Sequence, residues 1–293
     1  MSYEPHENMV APARTYPQVW RFILGCAAAF GLYLLLSTLI VFIAIAIMGT
    51  AWVSPLANMS GYVSPYQTLF MLFTFAAMVI AVLVVAIAIH HRNPSTLLGG
   101  LSNATSSFLR AMRYLGPLIL LFLAFSYLTE DLQPALPFNT WLLLLPLSIT
   151  LLLIQVSAEE LVFRGYLQSH LAAMGLPTIL WMTIPAVLFG LGHYQPAQFG
   201  TLAPWFVVWA VVFGLLTADL TARTGNLGAA IAFHFANNFV AILLVGLHDH
   251  LGGLALFVYP FSSADTAEIA ARLPTDFVAM IIMYLLVRIG VRA

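Results

Sequence analysis

The sequence predicts an all-α membrane protein, a polytopic helical bundle with about eight transmembrane helices. Hydrophobic residues make up 62% of the 293 positions and charged residues only 7%, whereas soluble domains carry about 25% charged residues. The mean hydropathy is +0.97. So few charges cannot cover a water-facing surface, which excludes a soluble enzyme, and so apolar a chain is not disordered.

Eight apolar stretches approach the length of about 20 residues that a helix needs to cross a bilayer. They are residues 20–48, 66–90, 114–129, 141–163, 177–193, 203–222, 227–247 and 275–291. The first is too long for a signal-peptide core, which has about 7–15 apolar residues. We therefore expect a short polar cytoplasmic tail over 1–19, followed by a single transmembrane domain over 20–293.

Two polar segments are predicted to lie outside the lipid. An Asn-Pro pair at 93–94 and a Gly-Gly pair at 99–100 interrupt residues 91–113, so we expect this segment to lie along the membrane surface before the third span. The polar residues between 164 and 170 are unsuited to lipid, so the hairpin between the fourth and fifth spans should project into water.

The arginines predict the orientation. All ten basic residues are Arg, and eight spans with a cytoplasmic N-terminus place nine of them on the cytoplasmic side, leaving only Arg272 outside. Because cytoplasmic loops carry the excess of positive charge, both termini are predicted to be cytoplasmic. The lack of Lys suggests a bacterial inner membrane. Membrane lipid is an expected partner, while a net charge of −1 without a basic patch argues against nucleic acid.

Charged and polar residues inside apolar spans are the functional candidates, because a charge there costs about 2.5–3.5 kcal/mol even on insertion scales. The fourth span holds Glu159, Glu160 and Arg164. Glu160 and Arg164 are four residues apart, share a helix face and can pair. Glu159 is turned away by about 100° and is left for chemistry. The alternative is that all three charges reach water at a helix end.

Two more spans carry candidates. Phe189 and His193 are four residues apart at the end of the fifth span, and His234 and Asn238 have the same spacing in the seventh. Such pairs share a helix face. The alternatives are an interfacial histidine and hydrogen bonding between helices, which is a common use of His and Asn in membranes.

Other polar groups are predicted to be structural. Asp219 and Arg223 are four residues apart and should form an ion pair at a helix end. His90, His91 and Arg92 are expected to anchor a helix end at the membrane interface.

The candidates can converge in one pocket. The fourth and fifth spans form a hairpin with its turn near 175–177, and Glu159 and His193 each lie 17 residues from Leu176. Both are then roughly 25 Å from the turn along their helices. His234 lies eleven residues beyond Arg223, a rise of about 16 Å. A carboxylate, two imidazoles and a carboxamide, placed nearer the cytoplasmic face, form a hydrolytic constellation.

Three motifs carry a family resemblance. They are Glu159-Glu160-x-x-x-Arg164, Phe189-x-x-x-His193 and His234-x-x-x-Asn238. In this order they resemble the signature motifs of the CPBP intramembrane proteases, a group that includes CAAX prenyl endopeptidases and bacterial Abi proteins. The motif-bearing catalytic core covers about 145–247. The resemblance implies an endopeptidase that cleaves a peptide or lipidated protein within the membrane or at its edge.

The resemblance also implies roles for the motif residues. Glu159 and His193 would activate water, and His234 and Asn238 would bind the oxyanion. The remaining motif residues, Glu160, Arg164 and Phe189, would support the site. If the chain is bacterial, short membrane-active peptides or the ends of membrane proteins become more natural substrates than prenylated proteins.

Three alternatives stay open at this stage. Glu159, His193 and His234 are also the ligand types of catalytic zinc sites, and the base would then be Glu160 or a metal-bound hydroxide. The missing His-Glu-x-x-His spacing favours a metal-free mechanism. A non-catalytic immunity or scaffold protein of the same fold would need none of these buried charges. A transporter would show paired halves with broken helices, which the sequence lacks.

Overall fold

A computed structural model describes residues 3–58, 63–247 and 249–292. Within these ranges the chain is almost entirely helical. The α-helices are α1 (Glu7–Ala13), α2 (Val19–Met48), α3 (Thr50–Asn58), α4 (Pro65–Thr74), α5 (Ala76–Ala88), α6 (Leu101–Thr129), α7 (Phe138–Glu160), α8 (Ser169–Ala173), α9 (Thr178–Leu191), α10 (Pro196–Phe199), α11 (Ala203–Thr224), α12 (Gly228–Asn238) and α13 (Thr266–Val291). The all-helical prediction is confirmed.

Two of these helices continue as π-helix, in which the backbone hydrogen bonds span five residues instead of four. Residues Leu161–Gln168 join α7 to α8, and residues Phe239–Leu244 extend α12. Short 3₁₀ turns occur at Glu4–His6, Pro94–Leu97, Gly200–Leu202 and Gly252–Leu254. Both π-segments directly follow motif residues.

Six helical segments in the described ranges are long and apolar enough to cross a membrane. They are Val19–Met48, Pro65–Ala88, Pro94–Thr129, Phe138–Ala173, Pro196–Thr224 and Thr266–Val291. Two shorter apolar helices, Thr178–Leu191 and Gly228–Leu244, match the remaining two predicted stretches. The 14 residues of α9 rise only about 21 Å, less than the about 30 Å of a hydrocarbon core.

The outer surface of the bundle is apolar. Large side chains such as Leu35, Ile47, Leu128 and Leu143 are 65–81% exposed. A continuous apolar surface of this kind is stable in lipid rather than in water. Together with the long apolar helices it identifies an integral membrane protein.

Residues 101–113 correct one expectation. The turn at 94–100 is present, but α6 begins at Leu101 and runs without interruption to Thr129, so the Ser- and Asn-rich part is helix rather than surface loop. Ala104, Ser107 and Ala111 are buried, where α6 packs on α12. This tertiary packing outweighs the weak helix propensity of Ser and Asn.

The segment 164–170 corrects a second expectation. Arg164, Gln168, Ser169 and His170 are buried, at 0–2% exposure, and therefore do not project into water. Their partners lie within the protein, since Gln168 Nε2 donates to the Ala218 carbonyl at 3.2 Å. Polar residues that are unsuited to lipid are here accommodated by hydrogen bonds inside the bundle.

The prediction that His90 and Arg92 form an interfacial anchor is also wrong. Both side chains are only 3% exposed. Arg92 donates from Nη1 to Ser169 Oγ and from Nη2 to the Met9 carbonyl, each at 2.8 Å. Burial lowers the pKa of the Arg92 guanidinium to about 10. These bonds hold the N-terminal helix α1 against α8.

The segment before α2 is folded against the bundle. His6, Met9 and Ala13 are buried, and the Tyr3 hydroxyl donates to Asp219 Oδ1 at 2.7 Å. The ion pair predicted for Asp219 and Arg223 is confirmed, with Nε 2.7 Å from Oδ2. The predicted polar tail is therefore partly buried over residues 3–19.

A small sheet joins the loops at the other end of the bundle. Strands β1 (Gln133–Pro134), β2 (Val245–Gly246) and β3 (Phe257–Val258) run in the order β1-β3-β2, with β1 antiparallel and β2 parallel to β3. Arg272 donates two hydrogen bonds to Glu130, at 2.7 and 2.6 Å. These loops lie together, as expected of segments assigned to one side.

Candidate active site

Two adjacent carboxylates lie at the end of α7. Glu160 is completely buried, whereas the side chain of Glu159 is 13% exposed. The π-helical turn that follows widens the helix directly after Glu160. Such π-segments within helices are frequent at functional sites, because they alter the direction in which neighbouring side chains point.

Glu160 and Arg164 form the ion pair that their spacing predicts. Arg164 Nη1 lies 3.2 Å from Glu160 Oε1, and both side chains have 0% exposure. Arg164 Nη2 also donates to the Gly214 carbonyl at 3.2 Å, and the guanidinium lies 4.8 Å from the centre of the Phe189 ring. The pair thus links α7 to α9 and α11.

His234 lies between the two glutamates. Its Nδ1 is 2.8 Å from Glu160 Oε1, and its Nε2 is 3.3 Å from Glu159 Oε2. The ring is 3% exposed. Glu160 therefore has a second role that its spacing from Arg164 does not predict, because it also orients the imidazole of α12.

Aromatic rings enclose this cluster. Phe213 and Phe189 present their edges or faces to His234 at ring-centre distances of 5.0 and 6.0 Å, and both phenylalanines are nearly fully buried. An apolar wall excludes water, which strengthens the charged hydrogen bonds inside it. Phe189, a motif residue, thus packs against His234, and Phe213 makes a further ring contact that the sequence analysis missed.

His193 is connected to this cluster by its contacts with Phe189. Its Nδ1 donates to the Phe189 carbonyl at 2.8 Å, and its ring lies 4.5 Å from the Phe189 ring. With Nδ1 protonated, Nε2 of a neutral ring carries the lone pair. His193 makes no hydrogen bond to Glu159 within the described ranges.

Asn238 is the last residue of α12 and lies one turn beyond His234. Its Nδ2 donates to Gln155 Oε1 at 2.9 Å, and its Oδ1 accepts a hydrogen bond from Asn237 at 3.0 Å. Gln155 is 6% exposed. Sequence analysis missed Gln155, although a polar residue four positions before Glu159 in an apolar span shares its helix face.

The zinc ligand set that the sequence left open as an alternative does not fit this geometry. Among the side chains that the structure describes, no three His, Cys, Asp or Glu residues are arranged to hold a metal ion. Both ring nitrogens of His234 already face carboxylates. In this structure Glu159, His193 and His234 are therefore not brought together as one set of ligands.

The fold and the site define a class of protein, an integral membrane helical bundle with a buried carboxylate–imidazole site. Residues 140–240 match the family described as type II CAAX prenyl endopeptidase Rce1-like. This segment is about a third of the chain and contains all three motifs, so the resemblance predicted from them is confirmed over this part.

A curated relative covers a similar share. The chain is 30% identical over 112 residues to the uncharacterized protein YyaK of Bacillus subtilis (strain 168), which amounts to 38% of each chain. The chain therefore matches less than half of the length of this relative. No solved structure matches the chain.

Proposed function

We propose that this protein is an intramembrane endopeptidase that hydrolyses a peptide bond of a membrane-associated or lipidated substrate. One observation carries the proposal, the imidazole of His234 held between the carboxylates of Glu159 and Glu160 inside a wall of aromatic rings. The match of residues 140–240 to a family of CAAX-type endopeptidases supports it.

Glu159 is proposed as the general base. Glu160 is fully buried and paired with Arg164, whereas the Glu159 side chain retains 13% exposure. Of these two carboxylates, water can therefore reach only that of Glu159. A positioned base typically contributes about 10²–10⁴-fold to the rate. His193, whose Nδ1 is fixed by the Phe189 carbonyl, would present Nε2 to the same water.

His234 and Asn238 are proposed to bind the oxyanion. They are four residues apart on α12 and face α7, where Glu160 fixes the imidazole and Gln155 fixes the carboxamide. Preorganised donors stabilise the developing negative charge without having to reorient during the reaction. A substrate oxyanion would take the hydrogen bond that Asn238 now donates to Gln155. His234 Nε2, which faces Glu159 at 3.3 Å, would donate to the oxyanion instead once Glu159 has accepted the proton from water.

The reaction then follows two steps. Glu159 accepts a proton as the water oxygen bonds to the scissile carbonyl carbon, and the carbonyl oxygen becomes an oxyanion held by His234 and Asn238. As this oxyanion collapses, the carbon–nitrogen bond breaks and the proton on Glu159 passes to the leaving amine. No oxidant or reductant is needed, and the carboxylate is regenerated for the next cycle.

We propose that the protein lies in a bacterial inner membrane, with eight transmembrane helices and both termini in the cytoplasm. The site is proposed to lie nearer the cytoplasmic face of the membrane. Short membrane-active peptides or the ends of membrane proteins are the proposed substrates. The observation behind this orientation is the concentration of arginines at one end of the chain's helices.

Cleavage of a fluorogenic lipidated peptide by the purified chain in detergent tests the proposal. Glu159→Gln should lower kcat by about 10²–10⁴-fold, and His234→Ala or Asn238→Ala by about 10²–10³-fold. Glu268→Gln is the matched control, because Glu268 is exposed on α13 and should leave kcat unchanged. Unfolding curves would verify that each variant folds.

The same assay separates the alternatives. A well-folded Glu159→Gln protein that cleaves like wild type would overturn the assignment of the base. A cellular phenotype that survives Glu159→Gln would indicate a non-catalytic immunity or scaffold protein instead. Stoichiometric zinc in active protein, with activity lost on chelation and restored by zinc, would overturn the metal-free mechanism.

A further inference from the structure

A polar cavity of about 340 Å³ lies at the end of the bundle where α6 begins and where α11 and α13 end. Arg110, Arg223 and Arg292 line it, together with hydroxyl and carboxamide side chains such as Ser107 and Asn226. None of the described residues that line it is acidic, and it shares no residue with the site around His234.

The cavity carries excess positive charge. Arg223 Nε is 2.7 Å from Asp219 Oδ2, so one of the three cationic charges is balanced. Arg110 bonds to neutral groups, the Ser106 carbonyl at 3.3 Å and Ser107 Oγ at 3.4 Å. Among the described side chains, three arginines less one aspartate leave a charge of +2 at this site.

Helix dipoles explain only part of this arrangement. Arg223 and Arg292 lie at the C-terminal ends of α11 and α13, where a cation is favourable. Arg110 lies in the third turn of α6, near its N-terminal part, where the helix dipole gives no such benefit. The helix dipole therefore does not account for the presence of Arg110 in the same cavity.

The surroundings indicate where the rest of the ligand would lie. Helices α6 and α13 touch next to the cavity, because a Cβ added to Gly290 would lie 3.1 Å from the Arg110 carbonyl. On these two helices Leu109 and Ile289 are each 61% exposed. An amphiphile could therefore place its charged group in the cavity and its apolar chains along the helices.

We propose that this cavity binds the phosphate group of an anionic phospholipid. The guanidinium fork matches phosphate oxygens with two parallel hydrogen bonds, and the Ser and Asn side chains add neutral donors. A water molecule occupies about 30 Å³ in the liquid, so the cavity has room for a phosphate and the first atoms of its glycerol ester. Basic pockets at helix ends are a known mode of acidic headgroup binding.

Titration of the full chain in detergent with a fluorescent phosphatidylglycerol, and with the matching phosphatidylcholine, tests this proposal. Each basic residue near an anionic lipid strengthens binding about fivefold. The double variant Arg110→Gln/Arg292→Gln should therefore weaken phosphatidylglycerol binding about 25-fold. Arg113→Gln is the matched control, because Arg113 is exposed on α6 but does not line the cavity. Its effect should stay within about twofold.

The results distinguish a lipid from a free anion. Binding that prefers phosphatidylglycerol, weakens in the double variant and resists millimolar inorganic phosphate supports the proposal. Complete displacement of the labelled lipid by inorganic phosphate would reveal a free-phosphate site and overturn the lipid assignment. Equal binding of both lipids, or equal losses in the double variant and in Arg113→Gln, would also overturn it. Because Arg110, Arg113 and Arg292 are exposed, the unfolding curves of these variants should match that of wild type.

Discussion

Replacing Arg164 with Met leaves the fully buried carboxylate of Glu160 without the guanidinium that lies 3.2 Å away. Removing one partner of a buried ion pair typically destabilises a protein by about 3–5 kcal/mol, because the remaining charge is uncompensated. The hydrogen bond from Arg164 to the Gly214 carbonyl adds little, since such bonds between membrane helices average about 0.6 kcal/mol. We expect a loss of about 4 kcal/mol.

A second variant separates charge from packing. Glu160→Gln/Arg164→Met removes both charges but keeps an amide oxygen that can accept the hydrogen bond from His234 Nδ1. The double variant should be more stable than Arg164→Met alone by about 2 kcal/mol, within the usual range of coupling between neighbours. Arg14→Met is the control, because its ion pair with Glu7 is about half exposed and should contribute about 0–1 kcal/mol.

The assay is reversible unfolding in mixed micelles, with increasing sodium dodecyl sulfate and helicity followed by circular dichroism. The free energy of unfolding would be compared for wild type, Arg164→Met, the double variant and Arg14→Met. A loss in Arg164→Met no larger than that in Arg14→Met would refute the argument that charge balance at Glu160 stabilises the fold. A double variant whose free energy of unfolding is no higher than that of Arg164→Met would refute it as well.

Three further predictions use the same preparation. Gly228→Ala should destabilise the chain by about 1–3 kcal/mol, because the added Cβ would lie 1.8 Å from the Ala104 carbonyl oxygen. Gly116 has open space around it, so Gly116→Ala should stabilise the chain by about 0.5–1 kcal/mol. Equal effects of the two substitutions in unfolding curves would contradict this. Burial lowers the pKa of His6 from 6.5 to about 4, so the unfolded chain binds the extra proton; stability is full above pH 6.5, and about 3 kcal/mol is lost as the pH falls to 4. His6→Gln should flatten that pH dependence between pH 7 and 4. Gln155→Leu removes the hydrogen bond from the Asn238 carboxamide. If Asn238 binds the oxyanion as proposed, this change should lower kcat about fivefold with little change in KM, which steady-state kinetics would measure.

Local patterns predicted much of this molecule. The apolar stretches marked every long helix, because the length of a hydrophobic run is a property of adjacent residues. The pairs Glu160–Arg164 and Asp219–Arg223 followed from the i,i+4 geometry of a helix, and the structure contains both. The three motifs also sufficed to predict the family resemblance over the segment that the comparison matches.

Contacts between distant segments were outside the reach of those patterns. Polarity alone does not tell whether a side chain faces water or the interior, and for this reason the segment 164–170 and the side chains of His90 and Arg92 were expected at the surface although they are buried. The position of His234 between two glutamates depends on how α12 packs against α7 and α6, and the close approach of Gly228 to Ala104 limits the distance between α12 and α6. The sequence by itself determined the long apolar helices and the charged and polar residues within them, whereas only tertiary packing decided which of these residues meet, because meeting requires interhelical distances that no single helix encodes.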